Sequence, residues 1–312
     1  MIDALLGPGL GGNRKLEKIE SLIDWDGLAP LLSGLRSART GRPPYAPLSM
    51  LKALYLATLY DLSDPGLEEA LGDRLSFRRF CGFGLYQRTT DETTLCRFRL
   101  EAAAAGVIER CFAEINRQLD AKGLMLKKGT LMDASIVAAA HKPPARSQGP
   151  GAVHPREPGA DWVNKAGKSY FGYKLHVGVD AGSGLIRRAV VTSARTQDVE
   201  MAEALVAGDE AAVYADRAYE SKAHRARLKA AGINDRIMHR RHKFMPELPR
   251  WLARRNDLIA RRRAPVEAVF SAMKRIYGKA RARCHSLAAN AADLIAFAAV
   301  FNLRRAANVL AA

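Results

Sequence analysis

Three carboxylates lie at positions from which they could hold metal ions. Asp133 falls within residues 130–138, a short β-branched and apolar run that predicts a strand. Asp216 directly follows a second predicted strand, residues 211–215, at the type of strand end where α/β folds place ligands. Glu267 lies in a helical stretch in the most basic part of the chain. Any one of these acids alone is better explained as a surface ion pair, but together they indicate a metal site.

The chemistry that such a site serves is the cleavage of phosphodiesters. Two divalent ions about 3.5–4 Å apart can activate an attacking oxygen and stabilise the leaving oxygen. Mg²⁺ prefers hard oxygen ligands and keeps several of its waters, so a few carboxylates suffice to bind it. Because three crowded carboxylates repel one another, we expect the metal-free site to be protonated or poorly ordered.

The helix around Glu267 carries two further residues on the same face. Arg263 precedes Glu267 by four positions and Lys274 follows it by seven, spacings that align side chains along a helix. Lys274 could therefore hold a phosphate near the metals. The residues after Pro246 predict helix with a break near Pro265. If a helix starts at Pro265, Glu267 lies in its first turn, where the helix dipole favours a negative charge. A plain ladder of ion pairs along the helix is the alternative.

The net charge of +17 suggests a polyanionic partner, and its distribution narrows the choice. DNA, RNA, an anionic membrane surface or no such partner at all would each fit the total. Residues 217–283, however, contain 20 basic and 5 acidic side chains, which favours a nucleic-acid face. The candidate backbone contacts in this segment are Arg240, Arg241 and Lys243. Lys165, Lys168 and Lys174 are further candidate phosphate contacts, although solvated lysines at a strand edge explain them equally well.

Cysteine usage and hydropathy indicate an intracellular protein. The four cysteines form neither a CxxC pair nor a zinc-binding spacing, so we interpret them as reduced thiols. The sequence has no signal-peptide pattern and no run of about 18 apolar residues. We therefore expect a soluble, cytoplasmic protein without a membrane partner.

The elements that must position these residues divide into two predicted domains. Residues 1–125 read as an all-α N-terminal domain, because apolar residues recur there with helical spacing. Residues 126–312 predict a mixed sheet with flanking helices and a basic helical C-terminal part. A stretch rich in proline, glycine and charge, residues 141–168, predicts a long loop, with Trp162 either anchoring it or stacking on a base. This α/β element order is that of a ribonuclease-H-like domain.

Several segments resemble the DDE transposases of bacterial insertion sequences, in particular the Insertion Sequence 5 group. The run GRPPYAPLSMLKALYLATLYDLSDPGLEEALGDRLSFRRFCG is similar to the family's N-terminal helical region, and so is DETTLCRFR. YFGYKLHVGVD resembles the region between the first two acids, and YADRAYES the surroundings of Asp216. Arg263, Glu267 and Lys274 match the signature Tyr-x₂-Arg-x₃-Glu-x₆-Lys, in which Ala260 replaces the tyrosine.

The resemblance implies a ribonuclease-H-like DDE catalytic domain in which Asp133, Asp216 and Glu267 bind two Mg²⁺ or Mn²⁺ ions. Water would attack the phosphodiester at the element's end, and the freed 3′-hydroxyl would then attack target DNA. Arg263 and Lys274 would contact DNA near the cleaved phosphate. The partners would be double-stranded DNA, as terminal inverted repeats and as target, and a second copy of the chain in a homodimer or larger assembly.

Two other functions remain open from the sequence. The first is a ribonuclease-H-like endonuclease that cuts DNA without joining it. The second is an inactive DNA-binding descendant of such an enzyme, against which the intact set of three acids argues. The helical N-terminal domain would read the element's ends, join two subunits, or do both.

Overall fold

A computed structural model of the chain describes residues 11–35, 44–143, 153–165, 167–241 and 243–310. It divides into two compact units, one of Met1–Lys122 with Ile295–Ala312 and one of Gly123–Leu294. The C-terminal residues thus group with the N-terminal ones and not with the sheet. Since a compact unit is not by itself an independently folding domain, the boundary at residue 125 stays a prediction.

The first unit is built from helices in its described residues. Polar side chains cap the N-termini of several of these helices. The Asn13 side chain accepts hydrogen bonds from the Lys15 and Leu16 amides, and the Asp91 side chain accepts one from the Thr94 amide at 2.7 Å. Helix α2 (Pro47–Leu59) is buried around most of its circumference, as expected from its nearly continuous apolar sequence. The helices are α1 (Arg14–Glu20), α2 (Pro47–Leu59), α3 (Asp64–Asp73), α4 (Leu75–Cys81), α5 (Glu92–Ala104) and α6 (Val107–Ala121), with a 3₁₀ segment at Asp26–Leu32.

The second unit is a mixed sheet with helices. Its described strands are β1 (Thr130–Ala138), β2 (Asp161–Lys165), β3 (Lys168–Asp180), β4 (Ile186–Ser193), β5 (Ala212–Ala215) and β6 (Asn234–Ile237). They lie in the order β2-β3-β1-β5-β6, and β4 pairs with β3. Strand β1 is antiparallel to β3 and parallel to β5, and β5 is parallel to β6. The mixed α/β fold expected from the sequence is confirmed in this coarse form.

The pairing of β1 with β5 positions two of the predicted site residues. Thr130 pairs with Val213 and Leu131 with Tyr214. Continuing this register by two residues sets Asp133 beside Asp216, which directly follows β5. Neighbouring residues in a parallel register point to the same face of a sheet, so the two carboxylates share a face.

Three described helices accompany the sheet: α7 (Ala202–Leu205), α8 (Lys222–Ala230) and α9 (Arg250–Arg275). Most of a further helix, α10 (Leu287–Val309), belongs to the first unit. Helix α9 packs against β1, β5 and β6, and buries Leu252, Ile259, Val266, Val269 and Met273. These apolar residues recur every three to seven positions, so they form the stripe by which an amphipathic helix packs on a sheet. Helix α9 therefore lies over the strands that carry the two aspartates.

The prediction of a helix break near Pro265 is wrong. Pro265 lies inside α9, which starts 15 residues earlier at Arg250, so Glu267 is not in a first helical turn. A proline removes one backbone hydrogen bond and clashes with the preceding turn. The buried apolar stripe of α9, which continues on both sides of the proline, outweighs this local cost.

A strand interrupts the loop that was predicted for residues 141–168. Residues 161–165 form β2, which pairs with β3 from Asp161 opposite Gly172 to Lys165 opposite Lys168. The segment is an edge strand whose side chains are half-buried or exposed, and it lacks the apolar alternation that would have predicted it. Residues 144–152 and 166 of the predicted loop lie outside the described residues.

One described helix, α10, is long and apolar enough to cross a membrane by length and composition. Within its apolar window, 72% of the segment is buried in protein. Core helices of soluble proteins share these properties, so they are weak evidence for a membrane span.

Candidate active site

Asp133 is the most perturbed acid of the predicted site. Its Oδ1 accepts a hydrogen bond from the Ala134 amide at 2.8 Å, and its Oδ2 lies 3.1 Å from a guanidinium nitrogen of Arg263. Burial raises the pKa of Asp133, Arg263 opposes the rise, and the charge of Asp216 adds to it. Asp133 is thus a partly desolvated carboxylate with another carboxylate nearby, which is the electrostatic setting of a cation site.

Asp216 is held by the turn that follows β5. Its Oδ1 accepts a hydrogen bond from the Ala218 amide at 2.8 Å and caps the 3₁₀ turn Arg217–Tyr219. Because this bond fixes one carboxylate oxygen at the strand end, the acid keeps its position beside Asp133. The structure therefore brings together the two acids that the strand pattern predicted.

Arg263 bridges α9 to β1. Besides Asp133 it binds the Met132 carbonyl at 3.3 Å, and its side chain is only 13% exposed. Its Nε is buried without a hydrogen-bond partner in the described part of the chain. The guanidinium thus neutralises Asp133 across the helix–sheet interface. The alternative interpretation from the sequence, a ladder of ion pairs along the helix, did not predict this partner.

Glu267 lies one helical turn beyond Arg263 and is exposed. Its helix packs on both β1 and β5, so it is carried by the element next to Asp133 and Asp216. Among the described residues, the ligand oxygens of the three acids do not all lie within 4.8 Å of one another. The structure therefore sets Asp133 and Asp216 side by side on neighbouring strands and carries Glu267 on the adjoining helix.

Three predicted phosphate contacts, Lys165, Lys168 and Lys274, lie near one another, and Lys165 links them to Asp133. Burial lowers the pKa of Lys274, and the positive charge of Lys165 lowers it further. Lys165 also acts on Asp133, where its charge opposes the rise in pKa. Lys168 on β3 lies opposite Lys165 on β2, and both side chains are exposed. Like charges this close favour the binding of an anion between them.

Lys174 is in a different environment from the other predicted phosphate contacts. It is buried in β3, and its Nζ donates to Asp198 Oδ1 at 2.9 Å and to the Thr196 carbonyl at 2.7 Å. The ammonium is therefore an internal ion pair and is not presented to solvent. His176, two residues further on, bonds Thr192 Oγ1 at 3.0 Å, and burial lowers its pKa to about 4.

The basic run after β6 lies at the surface. Arg240, Arg241 and Lys243 are exposed, and the Arg240 guanidinium donates to the Arg217 carbonyl at 3.0 Å. Because Arg217 directly follows Asp216, this hydrogen bond connects the basic run to the turn beside the acids.

Comparison with protein families identifies the molecule that carries this site. Residues 10–101 match a transposase domain (DUF772), and residues 125–303, more than half of the chain, match the Transposase DDE domain. The chain belongs to the DDE transposase family. The transposase is thus an enzyme that acts on DNA in transposition and recombination, as the resemblance implied. Its family generally depends on divalent metal ions. No solved structure matches the transposase.

The sequence did not single out one residue near the transposase's acids. Tyr219 is fully buried, and its hydroxyl has no hydrogen-bond partner in the described residues. Burial raises the pKa of Tyr219, and the charges of Asp198, Asp133 and Asp216 raise it further. The neutral phenol therefore lies close to the carboxylates of Asp198, Asp133 and Asp216. Its position three residues after Asp216 is the only sequence signal that could have indicated it.

Proposed function

We propose that this transposase, a member of the Insertion Sequence 5 group, cuts DNA at the ends of its element and transfers the 3′-hydroxyl into target DNA. The observation that carries the proposal is the placement of Asp133 and Asp216 side by side on parallel strands, under the helix that bears Glu267. A ribonuclease-H-like catalytic domain accounts for this strand order, with an acid on the central strand and another on its parallel neighbour.

Asp133, Asp216 and Glu267 would hold two Mg²⁺ or Mn²⁺ ions. The donor set fits these hard cations because it consists of carboxylate oxygens alone. The raised pKa of Asp133 also fits, since a buried carboxylate beside another acid gains most from a nearby cation. When bound, the ions would activate the attacking oxygen and stabilise the leaving oxygen.

The surrounding cations would have separate roles. Lys165, Lys168 and Lys274 would bind the phosphates next to the scissile bond, because all three are exposed and the charge of Lys165 acts on both Asp133 and Lys274. Arg263 would position Asp133 and neutralise part of its charge. Arg240, Arg241 and Lys243 would contact the DNA backbone further along. We assign Lys174 to the support of Asp198, since its ammonium is buried in that ion pair.

The remainder of the chain would organise the DNA. An all-α N-terminal domain, residues 1–125, would read the terminal inverted repeats or join subunits. Because two element ends must be held together during strand transfer, we expect a homodimer or larger assembly on DNA. We place the protein in the bacterial cytoplasm, associated with the nucleoid.

A strand-transfer assay tests this function. The substrate is a labelled duplex ending in the element's terminal repeats, which can be read from the DNA that flanks the coding region, together with a supercoiled target and Mg²⁺ or Mn²⁺. We expect labelled strands covalently joined to the target. Cleavage without joining would instead support an endonuclease, and binding without cleavage in either metal would support an inactive descendant.

A further inference from the structure

A second group of ligand-type side chains lies in the sheet-containing unit, away from the three acids. It consists of His141, which follows β1, Glu157, which precedes β2, and His285, which precedes α10. One ligand atom from each lies within 4.8 Å of the other two. We call this group the histidine cluster. Three segments that are distant in sequence thus present ligand atoms to one small volume.

Glu157 is the buried member of the cluster and has an unusual set of partners. Its carboxylate is fully buried, and Oε1 lies 2.9 Å from His141 Nδ1 while Oε2 accepts a hydrogen bond from the Tyr173 hydroxyl at 3.2 Å. In the described residues, its only ion-pair partner is the imidazole of His141. No lysine or arginine of the described residues pairs with Glu157, so a bound cation would supply the compensating positive charge that a buried carboxylate needs.

The imidazoles are arranged so that they could share a cation. The ring centroids of His141 and His285 are 4.7 Å apart, and a third ring, His154, stacks on His141 at 5.5 Å. His141 Nδ1 and Glu157 Oε1 are 2.9 Å apart, close to the roughly 3.3 Å that separates two ligand atoms about 2.0 Å from a tetrahedral Zn²⁺. Both atoms can therefore face the same cation, which would replace the hydrogen bond between them.

We propose that His141, Glu157 and His285 form a binding site for a single Zn²⁺ ion, separate from the Mg²⁺ or Mn²⁺ centre. Two imidazole nitrogens and a carboxylate oxygen suit zinc, with water completing four ligands, whereas Mg²⁺ prefers oxygen ligands throughout. The separation from Asp133 is also large. At about 3.3 Å per residue, the strand from Asp133 to Ala138 alone spans roughly 16 Å.

The role of this ion would be structural. Arg281 already joins the chain after β1, because its side chain donates to the Ala139 and Ala140 carbonyls at 3.0 and 2.6 Å. Zinc would connect the segment after β1 to the segment before α10 a second time. It would also hold Glu157, which lies just before β2. Since β2 carries Lys165, the ion would stabilise the strand that presents this lysine beside Asp133.

Calorimetric titration of the full chain with ZnSO₄ alone, after EDTA treatment, tests the proposal. We expect about one Zn²⁺ per chain, and at least a 100-fold loss of affinity in His285→Ala. His285 is exposed, so its replacement should leave the fold intact, which thermal unfolding without metal checks. His285→Cys should retain binding because a thiolate is also a zinc ligand. The matched control, His239→Ala, alters a histidine outside the cluster and should bind like the wild type.

A second variant separates this site from the catalytic one. The double variant Asp133→Asn, Asp216→Asn should bind Zn²⁺ with the wild-type stoichiometry and affinity. The proposal is overturned if the wild type binds no Zn²⁺ in the micromolar range, or if His285→Ala binds as tightly as the wild type. Loss of Zn²⁺ binding in the double aspartate variant would likewise assign the ion to the acids and contradict a separate site.

Discussion

The three acids Asp133, Asp216 and Glu267, here called the acid centre, belong to the same unit as the histidine cluster. The two sites differ in donor chemistry and in how their charges are balanced. At the acid centre, Asp133 pairs with Arg263, and the exposed Lys165 acts on Asp133 through its charge. In the histidine cluster, Glu157 is fully buried, and its partners are the backbone amide and imidazole of His141 and the phenol of Tyr173. Carboxylate oxygens beside an exposed lysine suit a site that must receive and release a phosphate. Nitrogen ligands around a buried carboxylate suit a site that keeps its ion.

The two sites also differ in how the chain assembles them. Asp133 and Asp216 are neighbours because two parallel strands pair, whereas the histidine cluster forms where three connecting segments meet. Strand pairing tolerates substitution of a side chain that projects from the sheet. A site made of connecting segments depends on its own side chains for order, so loss of a ligand there should affect local structure more than chemistry.

The largest expected effect is the loss of cleavage on replacing either aspartate. Asp133→Asn and Asp216→Asn should each abolish DNA cleavage in Mg²⁺, because an amide is a poorer ligand and carries no charge. DNA binding should persist, since the lysines and arginines remain. His285→Ala provides the contrast and should retain most of the cleavage rate. Gel assays of cleavage and binding measure both quantities, and comparable losses in all three variants would contradict the separation of the two sites.

Replacement of the exposed lysines should give an intermediate effect. Lys165→Ala and Lys274→Ala should each weaken DNA binding about tenfold and lower the slope of log K against log salt by about 0.9, since one phosphate contact is lost. Lys229→Ala, a surface lysine on α8, is the matched control and should keep the slope. Fluorescence anisotropy over a range of salt concentrations measures it. An unchanged slope in both test variants would remove these lysines from the DNA interface.

A smaller effect is expected from zinc on stability. An ion that binds only the folded state at 100 times its Kd adds about 2.7 kcal/mol to the free energy of unfolding. Zn²⁺ should therefore raise the melting temperature of the wild type by a few degrees but not that of His285→Ala. Differential scanning fluorimetry with Zn²⁺ and with EDTA measures the shift. Equal shifts in the two proteins would place the stabilising ion elsewhere.

The smallest effect concerns pH and Asp133. Burial raises the pKa of this acid, so the folded protein binds the proton more tightly than the unfolded chain does. Ionisation therefore destabilises the fold as pH rises above the unfolded value of about 3.9. Compared with the wild type, Asp133→Asn should gain stability between pH 4 and pH 7. Urea unfolding across this range tests the sign, and a relative gain toward acid pH would contradict the desolvation of Asp133.

The sequence could predict where Asp133 and Asp216 lie, because the composition and ends of short apolar strands can be recognised in a sequence. A β-branched run located β1, and an acid after a short apolar run marked the end of β5. The partner of Arg263 could not be predicted, because it depends on how α9 lies across the sheet. Helical spacing indicated Glu267, four residues away, but the guanidinium binds Asp133, 130 residues away in sequence.

Three other features could not be read from the sequence, each for a different reason. Residues 171–180 of β3 are all buried, so alternation could not reveal that Lys174 points to an internal partner, Asp198. The histidine cluster has no spacing motif, since its ligands come from three distant segments. Pro265 was misleading for the opposite reason, because a local rule was overridden by the packing of a long helix.

The most direct test of the catalytic assignment is strand transfer by Glu267→Gln, because Glu267 is the acid that lies on a separate element. The assay uses Mg²⁺ and DNA ending in the terminal repeats, with Glu247→Gln as the matched control. Glu247 is an exposed glutamate in the same basic region. We predict that Glu267→Gln binds DNA but neither cuts nor joins it, and that Glu247→Gln behaves like the wild type. Joining by Glu267→Gln at the wild-type rate would contradict a centre built from all three acids.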